Sequence, residues 1–139
     1  MITLKYHIEG GNFTNAGFAS SQVKKTLKQL NVDPKLIKKV VVAMYEGEVN
    51  IVAHARKGEI LVTITPDEVK MVLKDEGEGI ADVEMAMKAG FSTASQKVRE
   101  MGFGAGMGLP NIKKNVDQLI IETEVGVGTT LTMIKKLMA

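Results

Sequence analysis

The sequence predicts an α+β fold, a two-layer sandwich with helices on one face of a mainly antiparallel, mixed sheet. Three observations point there: one strand pattern at the start, two helical segments after it, and two later strand pairs, each joined by a short turn. Residues 2–8 alternate apolar and polar, and Gly10-Gly11 ends that run. Over residues 13–30, Phe18, Val23, Leu27 and Leu30 recur at helical spacing, until Asn31 and Val32 interrupt. Asp33-Pro34 marks a second helix start, because Asp caps exposed amides and proline tolerates a position whose N–H would be unpaired anyway. That helix is expected over residues 34–55. Residues 59–65 and 69–74, separated by Pro66-Asp67-Glu68, have a hairpin pattern. Residues 75–79 read as a glycine turn, Asp82 as the cap of a short helix through residue 88, and residues 90–108 as a glycine-rich loop without a period. A helix over 109–116 and strands over 118–124 and 129–134 complete the pattern.

Composition narrows the function. With 139 residues and 45% hydrophobic content, residues 1–139 are expected to form one domain around one core. The absence of cysteine excludes a disulfide framework, a thiolate metal site and a cysteine nucleophile, and fits a reducing compartment. No run reaches the roughly 20 apolar residues of a membrane helix, and the start lacks a basic flank before an apolar core. A cytoplasmic protein that does not engage membranes is expected. Net charge is only +2, the lysines are scattered among acidic residues, and aromatics are 4%, which argues against a nucleic-acid partner.

Three segments carry chemistry. Glu46, Asn50 and His54 align on one face of a nearly all-apolar helix, although a solvated face has the same spacing. Asp75-Glu76-Gly77-Glu78-Gly79-Ile80 sets an acid at a strand end before glycines that admit a ligand, or simply makes a turn. Gly102-Phe103-Gly104-Ala105-Gly106-Met107-Gly108-Leu109 runs alternate glycines into a helix, suited to receive phosphate oxygens or to act as a linker. It is not a P-loop, since Leu109 and Pro110 follow the last glycine where lysine and a hydroxyl are required.

Taken together, the segments resemble the ordered boxes of the GHKL ATPase superfamily: Glu46-x-x-x-Asn50, Asp75-x-Gly77-x-Gly79 and Gly104-x-Gly106-x-Gly108-Leu109, with Gly126-Val127-Gly128-Thr129-Thr130 resembling its closing strand. The resemblance implies the Bergerat ATP-binding fold, with ATP or ADP and Mg²⁺ as ligands. It makes Glu46 the general base, Asn50 the Mg²⁺ ligand, Asp75 the acceptor of the adenine amine, and Thr129 its support. Gly77, Gly79, Ile80, Gly102, Gly104, Gly106, Met107, Gly108 and Leu109 would line the nucleotide under a lid over residues 90–108. Arg99 would reach phosphate from that lid, a solvated charge being the alternative and the better reading of Lys97; His54 reads as structural.

Gly90-Phe91-Ser92-Thr93-Ala94 and the run from Arg99 into Gly104 look most like bacterial anti-sigma kinases and their switch-protein relatives. That likeness implies phosphoryl transfer to a Ser/Thr of a STAS-domain partner, contact with a sigma factor, and a homodimer. A switch module that holds nucleotide without transferring phosphate is the alternative. Two residues of the second helix depart from the family pattern, Gly47 inside it and Ile51 where a small residue often follows the asparagine; the lid also carries more glycines than usual.

Overall fold

The computed structural model describes residues 1–88 and 108–138. Strand β1 (Ile2–Glu9) leads into a 3₁₀ turn (Phe13–Asn15), then helices α1 (Phe18–Gln29) and α2 (Pro34–His54). Strands β2 (Ala55–Ile64) and β3 (Glu68–Gly77) follow, then α3 (Val83–Ala86), α4 (Gly108–Asn115), β4 (Gln118–Glu124) and β5 (Gly128–Lys136). The five strands form one sheet in the order β1-β2-β3-β5-β4. All four ladders are antiparallel, so the mixed character expected of the sheet has no parallel pair behind it among the described residues.

The alternation read from the sequence sets which way each strand faces. Ile60, Val62 and Ile64 of β2, Val69, Met71 and Leu73 of β3, and Leu131 and Met133 of β5 are buried. They join one core with Val23 and Leu27 of α1 and Ile37, Val40 and Met44 of α2. Each such side chain contributes about 1.5–3 kcal/mol when fully buried. The alternate residues Lys5, Glu59, Lys70, Lys74 and Glu122 are exposed on the opposite face, which leaves the helices on one side of the sheet.

The first helical segment divides. Gly17 adopts φ +97°, which separates the 3₁₀ turn from α1, so the helix is shorter than the sequence suggests. At its other end Asn31 takes φ +58° and Val32 N–H returns to the Leu27 carbonyl at 3.2 Å. For α2 the expected start holds: Asp33 Oδ1 accepts from Lys35 N–H at 2.9 Å, and Pro34 takes the first turn. Strand β2 begins at once after α2, earlier than expected, with a register shift between Ala55 and Lys57. The β1–α1 loop is stitched to that junction by Gly11 N–H to the Val52 carbonyl and Gly10 N–H to the Arg56 carbonyl, each 2.8 Å. Strand β3 runs on to Gly77, so Asp75 belongs to the sheet, paired with Gly58, and not to a turn.

Candidate functional site

Helix α2 lies over the sheet and presents a different neighbour to each residue of its central turns. Gly47 faces Leu73, whose Cδ2 would stand 2.5 Å from an added Cβ. Ile51 stands over Gly58, where an added Cβ would meet its Cδ1 and Cγ2 at 2.9 Å. Both departures from the family pattern therefore have packing reasons: Gly47 admits a large strand residue, and Gly58 makes room for the large Ile51.

Glu46 and Asn50 both turn toward α4. A Cβ built on Gly108 would lie 3.4 Å from Asn50 Nδ2, 3.4 Å from Asn50 Oδ1 and 3.6 Å from Glu46 Oε2. The first residue of α4 thus touches the side chains that the sequence singled out for base and metal roles. Asn111, one turn further, donates from Nδ2 to Glu46 Oε1 at 3.3 Å, while its own carbonyl accepts from Asn115 Nδ2 at 2.8 Å. Leu109 is buried in the core below. The sequence reading missed Asn111, for it lies beyond the glycine motif and its spacing from Glu46 carries no local signal.

A second cluster closes the end of β3. Asp75 Oδ1 accepts from Thr129 N–H at 3.0 Å, and among the described residues Oδ2 accepts no hydrogen bond. Burial pushes the Asp75 carboxyl above the usual carboxylate range, and the Thr129 hydrogen bond opposes this. Thr129 Oγ1 lies 2.9 Å from Thr123 Oγ1, which in turn accepts from Ile80 N–H at 2.8 Å. Ile80 is therefore fixed by β4, and Thr123 is a second residue that sequence reasoning passed over. Its position two residues beyond Ile121 in an alternating strand was the available clue. Gly79 takes φ +74°, and any Cβ there would meet the Glu124 carbonyl oxygen at 2.5 Å, so only glycine brings this turn against β4. Gly77 packs against the α2–β2 junction, with Ala55 Cα 3.1 Å and the His54 carbonyl 3.2 Å from where its Cβ would be.

His54 ends α2 beside a cleft of about 420 Å³ lined by Gly11, Phe13, Val52, Arg56, Gly77 and Glu78 among others. Burial lowers the His54 pKa, partly offset by the Glu78 carboxylate. Arg99, Lys97, Gly102, Gly104, Gly106 and Met107, and with them the lid apart from Gly108, lie outside the described residues. No helix among the described residues is long and apolar enough to cross a membrane.

Glu46 and Asn50 thus meet the start of α4, and the half-buried Asp75 near the end of β3 keeps, among the described residues, one carboxylate oxygen without a hydrogen bond. Residues 14–135 match the histidine kinase-like ATPase domain, and the chain belongs to that family, whose members bind ATP. It is 32% identical over 101 residues to the serine/threonine-protein kinase RsbT of Bacillus subtilis, covering 70% of each chain. It is also 32% identical over 126 residues to the anti-sigma F factor of Caldanaerobacter subterraneus, covering 87% of this chain and 85% of the relative. Among solved structures, the RsbU and RsbW domains of a Mycobacterium tuberculosis protein share the fold, with TM-score 0.67, 17% identity, and coverage of 99% of this chain and 32% of that one.

Proposed function

We propose that this protein is an ATP-dependent serine/threonine kinase that phosphorylates a STAS-domain partner in an anti-sigma pathway. The observation that carries this is the convergence of Glu46 and Asn50 on Gly108 at the start of α4. Asp75 Oδ2 is the acceptor for the adenine amine; a carboxylate cannot donate, which disfavours the oxo group of guanine at that place. Asn50 would hold Mg²⁺ through its amide oxygen, and the ion would supply positive charge against that of the transferring phosphoryl group. As the acceptor oxygen bonds to the γ-phosphorus, Glu46 Oε2 takes its proton. The bond from that phosphorus to the bridging oxygen breaks, and ADP leaves with the electron pair.

The names of the relatives, a serine/threonine kinase and anti-sigma factors, support this reading, and contact with a sigma factor and a homodimer accompany it. The test is transfer of ³²P from γ-labelled ATP to a STAS-domain partner. Glu46→Gln is expected to keep ATP binding and lose about 10²–10⁴ in rate. Asn50→Ala is expected to lose Mg²⁺-dependent nucleotide binding itself. Full activity of Glu46→Gln would remove the base assignment. Tight partner binding without any transfer by the wild type would favour the nucleotide-holding switch.

A further inference from the structure

We propose that Asn111 is a positioning residue for phosphoryl transfer: its side-chain amide holds one oxygen of Glu46 so that the other faces the acceptor hydroxyl. This rests on the kinase reading given above. Glu46 is half-buried on α2, and its two oxygens have different surroundings. Oε1 receives the Asn111 amide at 3.3 Å, whereas Oε2 lies toward Gly108, 3.6 Å from the place a Cβ would take. The chemistry fixes the orientation of the Asn111 amide, since a carboxylate oxygen cannot donate and only the NH₂ end can face it.

Three features make Asn111 suited to the task. It sits one helical turn after Gly108, so it meets the same face of α2 as the start of α4. Its backbone carbonyl is held by Asn115 Nδ2 at 2.8 Å, and the adjacent Ile112 is buried in the core, which keeps this turn of α4 in place. A glutamate side chain has three rotatable bonds, and one hydrogen bond to one oxygen removes most of that freedom without occupying the oxygen that must take the proton. In contrast to Asn50, Asn111 is assigned no contact with nucleotide or metal. Its effect passes through Glu46 alone, and that makes it separable from a structural role.

The experiment is a double-mutant cycle in the phosphotransfer assay with the full chain and its STAS-domain partner. Asn111→Leu, which keeps size and removes the amide, is expected to lower kcat about tenfold to hundredfold, with ATP affinity and Tm close to wild type. In a Glu46→Gln background the same change is expected to have no further effect. Asn111→Asp, nearly isosteric, puts a carboxylate against a carboxylate and is expected to be at least as slow as Asn111→Leu. Equal losses in both backgrounds, or an Asn111→Asp protein as fast as wild type, would overturn the proposal. If the wild type transfers phosphate and Glu46→Gln does not, while Asn111→Leu is unimpaired, only the positioning role falls. If the wild type transfers nothing, the kinase reading falls and takes this one with it.

Discussion

Glu48→Gln should be the most costly near-isosteric change in the molecule. The Glu48 side chain is fully buried, and its carboxylate reaches across from α2 to the first turn of α1. Oε2 accepts from Gly17 N–H at 3.0 Å and Ala19 N–H at 3.2 Å; Oε1 accepts from Ser20 N–H at 3.0 Å and Ser20 Oγ at 2.6 Å. An acidic side chain thus caps a helix start from another helix, satisfying amides that have no partner within α1. In Glu48→Gln the shape remains, but an NH₂ replaces one acceptor oxygen. Directed at Ser20, the amide can be met by the rotating hydroxyl, yet Ser20 N–H is orphaned; directed at Gly17 and Ala19, it orphans two. A hydrogen bond to a charged acceptor contributes about 1.5–3 kcal/mol, and a buried donor left unpaired costs about 1–3 kcal/mol, so about 3 kcal/mol should be lost. Unfolding entropy near 2.1 cal/mol/K per residue gives about 0.29 kcal/mol/K for 139 residues, and Tm should fall by about 10 °C. Thermal unfolding followed by circular dichroism reads this directly, with Glu122→Gln on the exposed sheet face as a control expected within about 0.5 kcal/mol of wild type. A fall of less than about 3 °C for Glu48→Gln would refute the claim that these hydrogen bonds hold α1 in place.

Two further perturbations test the packing and the electrostatics of the site. Gly47→Ala gains about 1 kcal/mol of helix propensity, but its methyl would stand 2.5 Å from Leu73 Cδ2 in a filled core, an overpacking that costs about 1–3 kcal/mol. A net loss near 1 kcal/mol and about 3 °C in Tm is expected, and a rise in Tm would show that Leu73 moves aside freely. Asp75 has a folded pKa raised by burial, so its contribution to stability is present below its unfolded pKa, about 3.9, and is lost as pH rises through the folded value. Urea unfolding of wild type and Asp75→Asn should therefore diverge in favour of the variant as pH rises above about 4, the unfolded value. The same variant should bind ATP at least about tenfold more weakly; a pH-independent difference, or undiminished ATP binding, would count against the assigned environment.

Local signals in the sequence served wherever local physics dominates. Alternation located β1 and β4 to within a residue, and Asp33-Pro34 placed the start of α2, because side-chain direction and cap chemistry depend on near neighbours only. Asp82 likewise caps α3, accepting from Met85 N–H at 3.0 Å. Elements whose limits are set by distant contacts were harder to read. The break at Gly17 coincides with the point where its N–H reaches Glu48, 31 residues away. The early start of β2 at Ala55 depends on the Gly10 and Gly11 bonds from a different loop. In the site, the glycine and carboxylate boxes were visible as motifs. Thr123 and Asn111 were not, because their partners Ile80, Thr129 and Glu46 lie 43, 6 and 65 residues away.

The pair Glu46 and Glu48 shows why geometry is needed to choose a candidate base within a readable motif. Both are carboxylates on the same turn of α2, separated by Gly47, and hydropathy treats them alike. Two residues of α-helix turn the side chain by about 200°, so one faces α4 and the other faces α1. Glu48 takes four hydrogen bonds and has no solvent exposure; it cannot receive a proton from a substrate without abandoning the start of α1. Glu46 takes a single 3.3 Å bond among the described residues and keeps one oxygen toward the seam it shares with Asn50 and Gly108. What separates the anchor from the proposed base on this helix is therefore how many donors each carboxylate already serves, a quantity set by α1 and α4 and absent from the residue types themselves.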